Sequence, residues 1–95
     1  MQYNINMNAI ITVVGNDHVG IIAKISSFLS EHFINIADIT QTILSGNFVM
    51  MMIVNLDSAN ISIDELRTEL TKRGHSMNVE VNIMNEKIFS TMNRI

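Results

Sequence analysis

The sequence predicts an α+β fold in which two helices cover one face of a four-stranded antiparallel sheet. A β-branched run at residues 9–14 turns through the pattern G-x-D-x-x-G, from Gly15 to Gly20, directly into a segment with helical apolar periodicity. A turn at residues 45–47 separates two strand-like segments, and Ser62 and Glu65 have the spacing of a helix capping box. Together these signals give the element order βαββαβ.

Composition excludes several classes of protein. The 95 residues are enough for one domain with its own core, and the absence of cysteine rules out disulfides, thiolate metal sites and a cysteine nucleophile. A net charge of −3 lacks the basic excess that a nucleic-acid partner requires. The longest apolar run, residues 48–54, is far shorter than the roughly 20 residues that cross a bilayer. Since no signal peptide precedes the first strand, we expect a cytoplasmic protein without membrane contact.

The chain divides into three segments. Residues 1–7 are mostly polar and predict a flexible leader, and residues 8–84 predict the folded domain. Residues 85–95 predict a short amphipathic tail because their apolar side chains recur at helical spacing. These tail residues are Ile88, Phe89, Met92 and Ile95.

The first strand is predicted at Ala9–Val14 and the first helix at His18–Phe33. Apolar residues recur in this helix at intervals of three and four, which predicts a face that packs on the sheet. They are Ile21, Ile25, Phe28, Leu29 and Phe33. Lys24, Ser27 and Glu31 fall on the opposite side and are expected to face solvent.

A β-hairpin is predicted next, with an alternating strand at Asn35–Leu44 and a return strand at Phe48–Leu56. The return strand is apolar on both faces, which a sheet covered on one side does not require. Either Met50 and Met52, or the set Val49, Met51 and Ile53, must therefore project from the uncovered face. An exposed apolar patch usually marks an interface, so we expect a homodimer or higher homo-oligomer formed through this sheet or its edge.

The second helix has the clearest boundaries. Ser62 is its predicted N-cap, Ile61 and Leu66 are spaced as a hydrophobic staple, and Gly74 is expected to end it in the left-handed conformation. A last strand is predicted at Met77–Met84. Right-handed crossovers in two split βαβ units then give the ferredoxin-like βαββαβ plait, with both helices on one face.

The loop between the first strand and the first helix is suited to an anion. Backbone N–H groups at a helix N-terminus have no partner inside the helix and carry partial positive charge. A carboxylate or a similar group can therefore be held there. We therefore expect the functional site of the protein to include this loop.

The segment Ala9–Leu56 resembles the ACT domain. The resemblance lies in the residues from Ile10 through the glycine loop to Ile25, and in Asn35-Ile-Ala-Asp-Ile39 after the helix. The chain is most similar to small stand-alone ACT-domain proteins, and similar sequences occur in a regulator of the glycine cleavage system. The resemblance implies a non-catalytic regulatory module without cofactor or metal. Such modules bind an amino acid or another small effector between two subunits, where the first loop faces the neighbour's second strand.

The resemblance also implies which residues bind the ligand. They are Gly15, Asn16, Asp17, His18, Gly20, Asn35, Ile36 and Asp38. The chemistry of these residues agrees with amino-acid binding. Gly20 lets the backbone approach the ligand closely, and Asp38 or Asp17 can pair with an α-ammonium group.

Several of these residues also have a purely structural interpretation. An aspartate before a helix, such as Asp17, is most simply an N-cap. Gly15 and Gly20 can serve a tight turn and close helix packing alone. His18 can be a solvated loop residue, and Asn35 can end the helix in a left-handed conformation.

Three functions compete at this point. The first is a homodimeric amino-acid sensor that passes its state to an unidentified regulated protein. The second is an interaction or assembly protein with the same fold and no ligand. The third is a metal-assisted hydrolase using Asp17 and His18 with His32 or His75. It is disfavoured because His32 should lie at the far end of a helix about 22 Å long.

Overall fold

The computed structural model describes residues 7–16 and 20–85 and has the predicted order βαββαβ. Its elements are β1 (Asn8–Gly15), α1 (Ile21–Glu31), β2 (Asn35–Leu44), β3 (Asn47–Asn55), α2 (Ile63–Ser76) and β4 (Val79–Asn85). The strands form one antiparallel sheet in the order β2-β3-β1-β4, so the ferredoxin-like prediction is confirmed. The predicted tail apart from Asn85, and the predicted leader apart from Met7, lie outside the described residues.

The core fills the space between the sheet and the two helices. From β3 it takes the even-numbered residues Phe48, Met50, Met52 and Val54, which are at most 3% exposed. The odd-numbered side chains of β3 therefore project from the uncovered face, and this decides between the two predicted sets. The helices contribute the buried residues Ile21, Ile25, Phe28, Leu29, Leu66 and Leu70.

The beginning of α2 follows its sequence signals. The hydroxyl Oγ of Ser62 accepts a hydrogen bond from the backbone N–H of Glu65 at 3.1 Å, and the Glu65 carboxylate accepts one from the Ser62 N–H at 3.1 Å. The predicted capping box is therefore confirmed. Of the predicted staple, Leu66 belongs to the core cluster, and Ile61 is partly buried and packs against it.

The prediction that Gly74 ends α2 was wrong. The helix continues to Ser76, and the left-handed residue beyond it is Asn78, with φ 60°. Gly74 lies where α2 crosses β4, and a Cβ atom on it would lie 2.6 Å from Cγ2 of Val81. The glycine is there because the helix and the strand approach closely.

The end of α1 also differs from the prediction. The helix ends at Glu31 in a Schellman motif, in which the Ile34 N–H donates to the Leu29 carbonyl at 2.9 Å. The left-handed residue of the motif is Phe33, with φ 59° and 63% of its surface exposed. The placement of Phe33 on the packing face was therefore wrong, as was the left-handed conformation considered for Asn35, which begins β2.

The helix layer covers the sheet unevenly. α2 packs over β4, whereas all ten residues of the edge strand β2 are exposed. Residues level with the core positions of β3 lie on the helix side of β2, and three of them are the apolar residues Ile36, Ile39 and Ile43. Among residues 7–16 and 20–85, no helix is long and apolar enough to cross a membrane.

We expect Gly74→Ala to destabilise the domain by about 1 to 3 kcal/mol because the added methyl group overpacks the contact with Val81. At an exposed helical position the same change stabilises, so the sign of the effect tests the contact. Urea denaturation of the full chain measures it. Lys72→Ala on the exposed side of α2 is the control and should change the unfolding free energy by less than about 0.5 kcal/mol.

Candidate functional site

The first part of the candidate site is the end of β1. Gly15 is the last residue of this strand and Asn16 follows it as an exposed bend. A Cβ atom on Gly15 would collide with the Val79 side chain at the start of β4. Close packing of β1 against β4 therefore requires this glycine, with or without a ligand.

The first part continues at the start of α1. The N-cap position is Gly20, in the left-handed region at φ 76°, and its carbonyl accepts the Lys24 N–H at 3.0 Å. Asp17 is therefore not the N-cap, contrary to prediction, because the helix begins three residues later than predicted. Helical geometry leaves the N–H groups of Ile21, Ile22 and Ala23 without acceptors inside the helix. The side chains of Asp17 and His18 lie outside the described residues, and their ligand roles stay predictions.

The second part of the site is the beginning of β2, where a β-bulge interrupts the register between Ile36 and Asp38. Ile36 is level with the buried Val54 and so lies on the helix side of the sheet. Asp38 is level with Ile53 and lies on the opposite face. Its Oδ1 atom accepts the Ile39 N–H at 2.8 Å. The bulge therefore sends these two predicted ligand residues to opposite faces.

The two parts lie at opposite ends of the sheet. Gly15 is level with Phe48, and Phe48 is level with Ile43 near the end of β2. Asp38 is five residues back along β2. At about 3.3 Å per strand residue and about 4.8 Å per inter-strand step, roughly 19 Å separates Gly15 from Asp38. One amino-acid ligand cannot contact both within one copy of the chain.

The two edges of the sheet differ in protection. On β4, the Arg67 guanidinium of α2 donates to the Ile83 carbonyl at 3.4 Å, and the close approach at Gly74 holds the helix against the strand. On β2, all side chains are exposed and α1 makes few contacts. An edge strand without covering elements is a template for pairing with another chain. β2 is therefore the more available edge.

Sequence reasoning missed three residues of this region. Phe33, Ile39 and Ile43 are apolar, yet 63%, 37% and 59% of their surfaces are exposed. Alternation along β2 showed that Ile39 and Ile43 share a face. It gave no sign that the helix layer stops short of that face.

Other polar groups near the helices serve local structure. The ring nitrogen Nδ1 of His32 lies 2.7 Å from the Asn60 side-chain oxygen, which ties the end of α1 to the segment before α2. The Arg73 guanidinium lies 4.3 Å from the centre of the Phe28 ring and spans a groove of about 450 Å³ between the helices. In the part of the chain that the structure describes, no three His, Asp or Glu residues are grouped to hold a metal ion.

Comparison with known proteins identifies the family. The ACT domain family model matches residues 8–84. A UPF0237 protein of Clostridium acetobutylicum is 48% identical over 89 residues, which span 94% of this chain and 100% of the relative. The solved structure of an ACT domain protein from Streptococcus pneumoniae has a TM-score of 0.78 at 43% identity, covering 87% of this chain and 93% of that one. The chain belongs to the ACT domain family, as its sequence resemblance indicated.

The same fold occurs within a longer chain. The structure of a putative glycine cleavage system transcriptional repressor has a TM-score of 0.72 at 21% identity, and the match covers 86% of this chain but 47% of that one. At this identity the likeness concerns the fold alone.

The two loop glycines should respond differently to substitution. Gly15→Ala should cost about 1 to 3 kcal/mol through the collision with Val79, and Gly15→Asn at least as much. Gly20→Ala should cost about 1 kcal/mol through its positive φ alone, because no described atom lies within 4 Å of the added Cβ. Gly20→Asn should recover part of that loss, since asparagine tolerates the left-handed region. Urea denaturation of the four variants checks this pattern, and recovery by asparagine at Gly15 would contradict it.

Proposed function

We propose that this protein is a non-catalytic regulatory module, a homodimer that binds a small amino acid at two equivalent sites between its copies. One observation carries the proposal: the two parts of the candidate site lie at opposite ends of one sheet. A two-fold axis near the middle of β2 places the start of one β2 beside the end of the other. The glycine loop of one copy then faces the start of β2 in its partner, and each site becomes complete.

The exposed side of β2 supports this arrangement. Antiparallel pairing of two β2 strands satisfies their free edge groups and joins two four-stranded sheets into one of eight. It also brings together the helix-side residues Ile36, Ile39 and Ile43 of both copies, which one copy leaves exposed. A two-fold interface uses the same surface on both subunits, so this single strip supplies both sides.

The ligand chemistry follows from the groups around each site. The N-terminus of α1 offers backbone N–H donors and partial positive charge to an α-carboxylate. Asn35 of the partner is level with Asn55, an odd-numbered residue of β3, so its side chain lies on the face away from the helices. Ile36 lies on the same face as the helices, whereas Asp38 lies on the other face. Ile36 is therefore better placed than Asn35 or Asp38 to meet a ligand held at α1.

Regulation would act through the interface. A ligand bound by groups from both copies favours the associated state by its differential affinity, and association in turn raises the affinity for the ligand. A regulated protein that recognises the dimer then responds to the amino-acid concentration. The coupling needs no catalytic group.

The first test is thermal denaturation of the dialysed protein with each of the twenty common amino acids. We expect one amino acid, or a small related group, to raise the melting temperature in a saturable way. A ligand at one hundred times its dissociation constant contributes about 2.7 kcal/mol of stability. Isothermal titration calorimetry provides the independent measurement. If no amino acid gives a shift or a heat of binding, the proposed ligand class is wrong.

The second test uses two residues of equal exposure on opposite faces of the sheet. Ile39, on the helix side of β2, is 37% exposed, and Met51, on the uncovered face of β3, is 36% exposed. Ile39→Lys should make the protein monomeric because it places two charges in the β2 interface. Met51→Lys should leave the dimer intact. Sedimentation equilibrium distinguishes the outcomes, and a dimer lost only with Met51→Lys would show that the copies stack through their sheet faces instead.

A second candidate function is an assembly protein that dimerises without a ligand. The observation that favours it is that Gly15 has a packing role and Gly20 a conformational role, neither of which needs a ligand. A dimer whose melting temperature depends on protein concentration but on no amino acid would support it.

A further inference from the structure

Phe33 has an unusual backbone conformation for its residue type. Three described residues other than glycine have positive φ, namely Phe33, Ser45 and Asn78. Phe33 and Asn78 occupy equivalent positions, directly after the C-caps of α1 and α2. Asparagine is one of the few residues that visit the left-handed region readily, whereas a bulky side chain there is an outlier. The same position is therefore filled by a suitable residue in one helix and by an unsuitable one in the other.

Burial within one copy does not offset this disadvantage. Phe33 exposes 63% of its surface and lies outside the core cluster. Ile34, the next residue in the sequence, is buried in that core. Neither backbone preference nor core packing accounts for a phenylalanine at this position. Strained residues persist where function requires them, so the strain points to a role for the ring outside the single copy.

The ring lies at one end of an apolar strip. Phe33 lies two residues before β2 and Ile36 lies at its start, and Ile43 lies near its end on the same face as Ile36, with 59% of its surface exposed. The two-fold axis in the middle of β2 places the start of one strand beside the end of the other. Each apolar end then meets the complementary end of the partner, and this happens twice in the dimer.

The exposed surface of Phe33 is large enough to contribute substantially to a dimer interface. A phenylalanine that exposes 63% of its surface presents roughly 100 to 150 Å² to a partner. Two copies together supply about a sixth of the roughly 1,600 Å² that a typical stable interface buries.

We infer that Phe33 is an association residue, whose ring packs against Ile43 near the end of β2 in a second copy of this chain. The inference rests on the proposed function, because it uses the same two-fold axis. It goes further than the proposed function because it assigns part of the association energy to one side chain. That side chain is strained and contributes no core packing within one copy.

The decisive variant is Phe33→Gly in the full chain. Removing the ring should raise the dimer dissociation constant at least about tenfold, since buried aromatic anchors dominate interfaces. Phe33→Asn, which also suits positive φ, should have the same effect and excludes added chain flexibility as the cause. Asn78→Gly is the matched control at the equivalent position of α2, and its dissociation constant should stay within about twofold of the parent. Sedimentation equilibrium measures all four proteins.

The second measurement concerns the stability of one copy. In the Ile39→Lys background, which the proposed function expects to be monomeric, Phe33→Gly should raise the urea midpoint because it relieves the left-handed strain. The inference therefore requires that Phe33→Gly stabilise the single copy and weaken the dimer. A lower midpoint would remove the strain argument and overturn the inference.

The remaining outcomes separate the inference from the proposed function. If the parent protein is a dimer and Phe33→Gly dimerises equally well, the inference is overturned and the proposed dimer stands. If the parent protein is monomeric at every concentration, the proposed dimer fails and the inference fails with it. If both Phe33 variants weaken the dimer while Asn78→Gly does not, the inference is supported.

Discussion

The position of the helix layer over the sheet determines what the rest of this molecule can do. Two close contacts hold that layer near β4: the approach of α2 at Gly74 to Val81, and the hydrogen bond from Arg67 to the Ile83 carbonyl. A third, between Gly15 and Val79, holds the end of β1 against the same strand. Each contact tolerates little change in volume, because protein interiors are close-packed. The helix layer therefore lies over β4, β1 and β3, whereas α1 makes few contacts with β2 and leaves its side chains exposed.

An uncovered strand gives the chain both a free edge and an unused apolar surface. The apolar residues on the helix side of β2 would be core residues if the helix layer extended over them. A second copy of the chain, related by a two-fold axis, supplies that missing cover with the same residues. This accounts for Ile39, which sits near the middle of β2, and for Ile36 and Ile43, which lie on either side of it. It also accounts for a site whose halves are separated within one copy.

Most of the fold could be predicted from local sequence signals. The capping box at Ser62 acts within one turn of helix, and the hairpin turn places Ser45 and Gly46 at positive φ, so neither depends on distant packing. Gly74 was misread because a glycine after basic residues near a helix end is also the usual termination signal. Only the distance to Val81 distinguishes the two roles. Phe33 was misread because it continues the helical periodicity of α1 one step beyond the point at which the chain leaves the helix.

The candidate site could be predicted as a set of residues but not as an arrangement. The resemblance to the ACT domain named Gly15 to Gly20 and Asn35 to Asp38, and it could not show that a β-bulge turns Asp38 away from Ile36. Register decides such questions, and a one-residue irregularity reverses the face of a side chain. The same irregularity bears on the ligand. An amino acid held at the start of α1 would lie on the helix side, where Ile36 of the partner would approach it.

A site divided between two copies ties ligand binding to association, and this sets a condition on the interface. If β2 pairing alone were very strong, the dimer would be complete without ligand and occupancy would change nothing that a partner protein could detect. If pairing were very weak, the ligand would have to supply all the association energy, and its apparent affinity would fall. A useful sensor needs an interface between these limits. The mixed composition of β2 is consistent with that, since Gln41 interrupts the apolar residues on its helix side and Thr40 and Thr42 lie on the other. An apolar anchor such as Phe33, just before the start of the strand, then adjusts the strength of association without altering the residues that would touch the ligand.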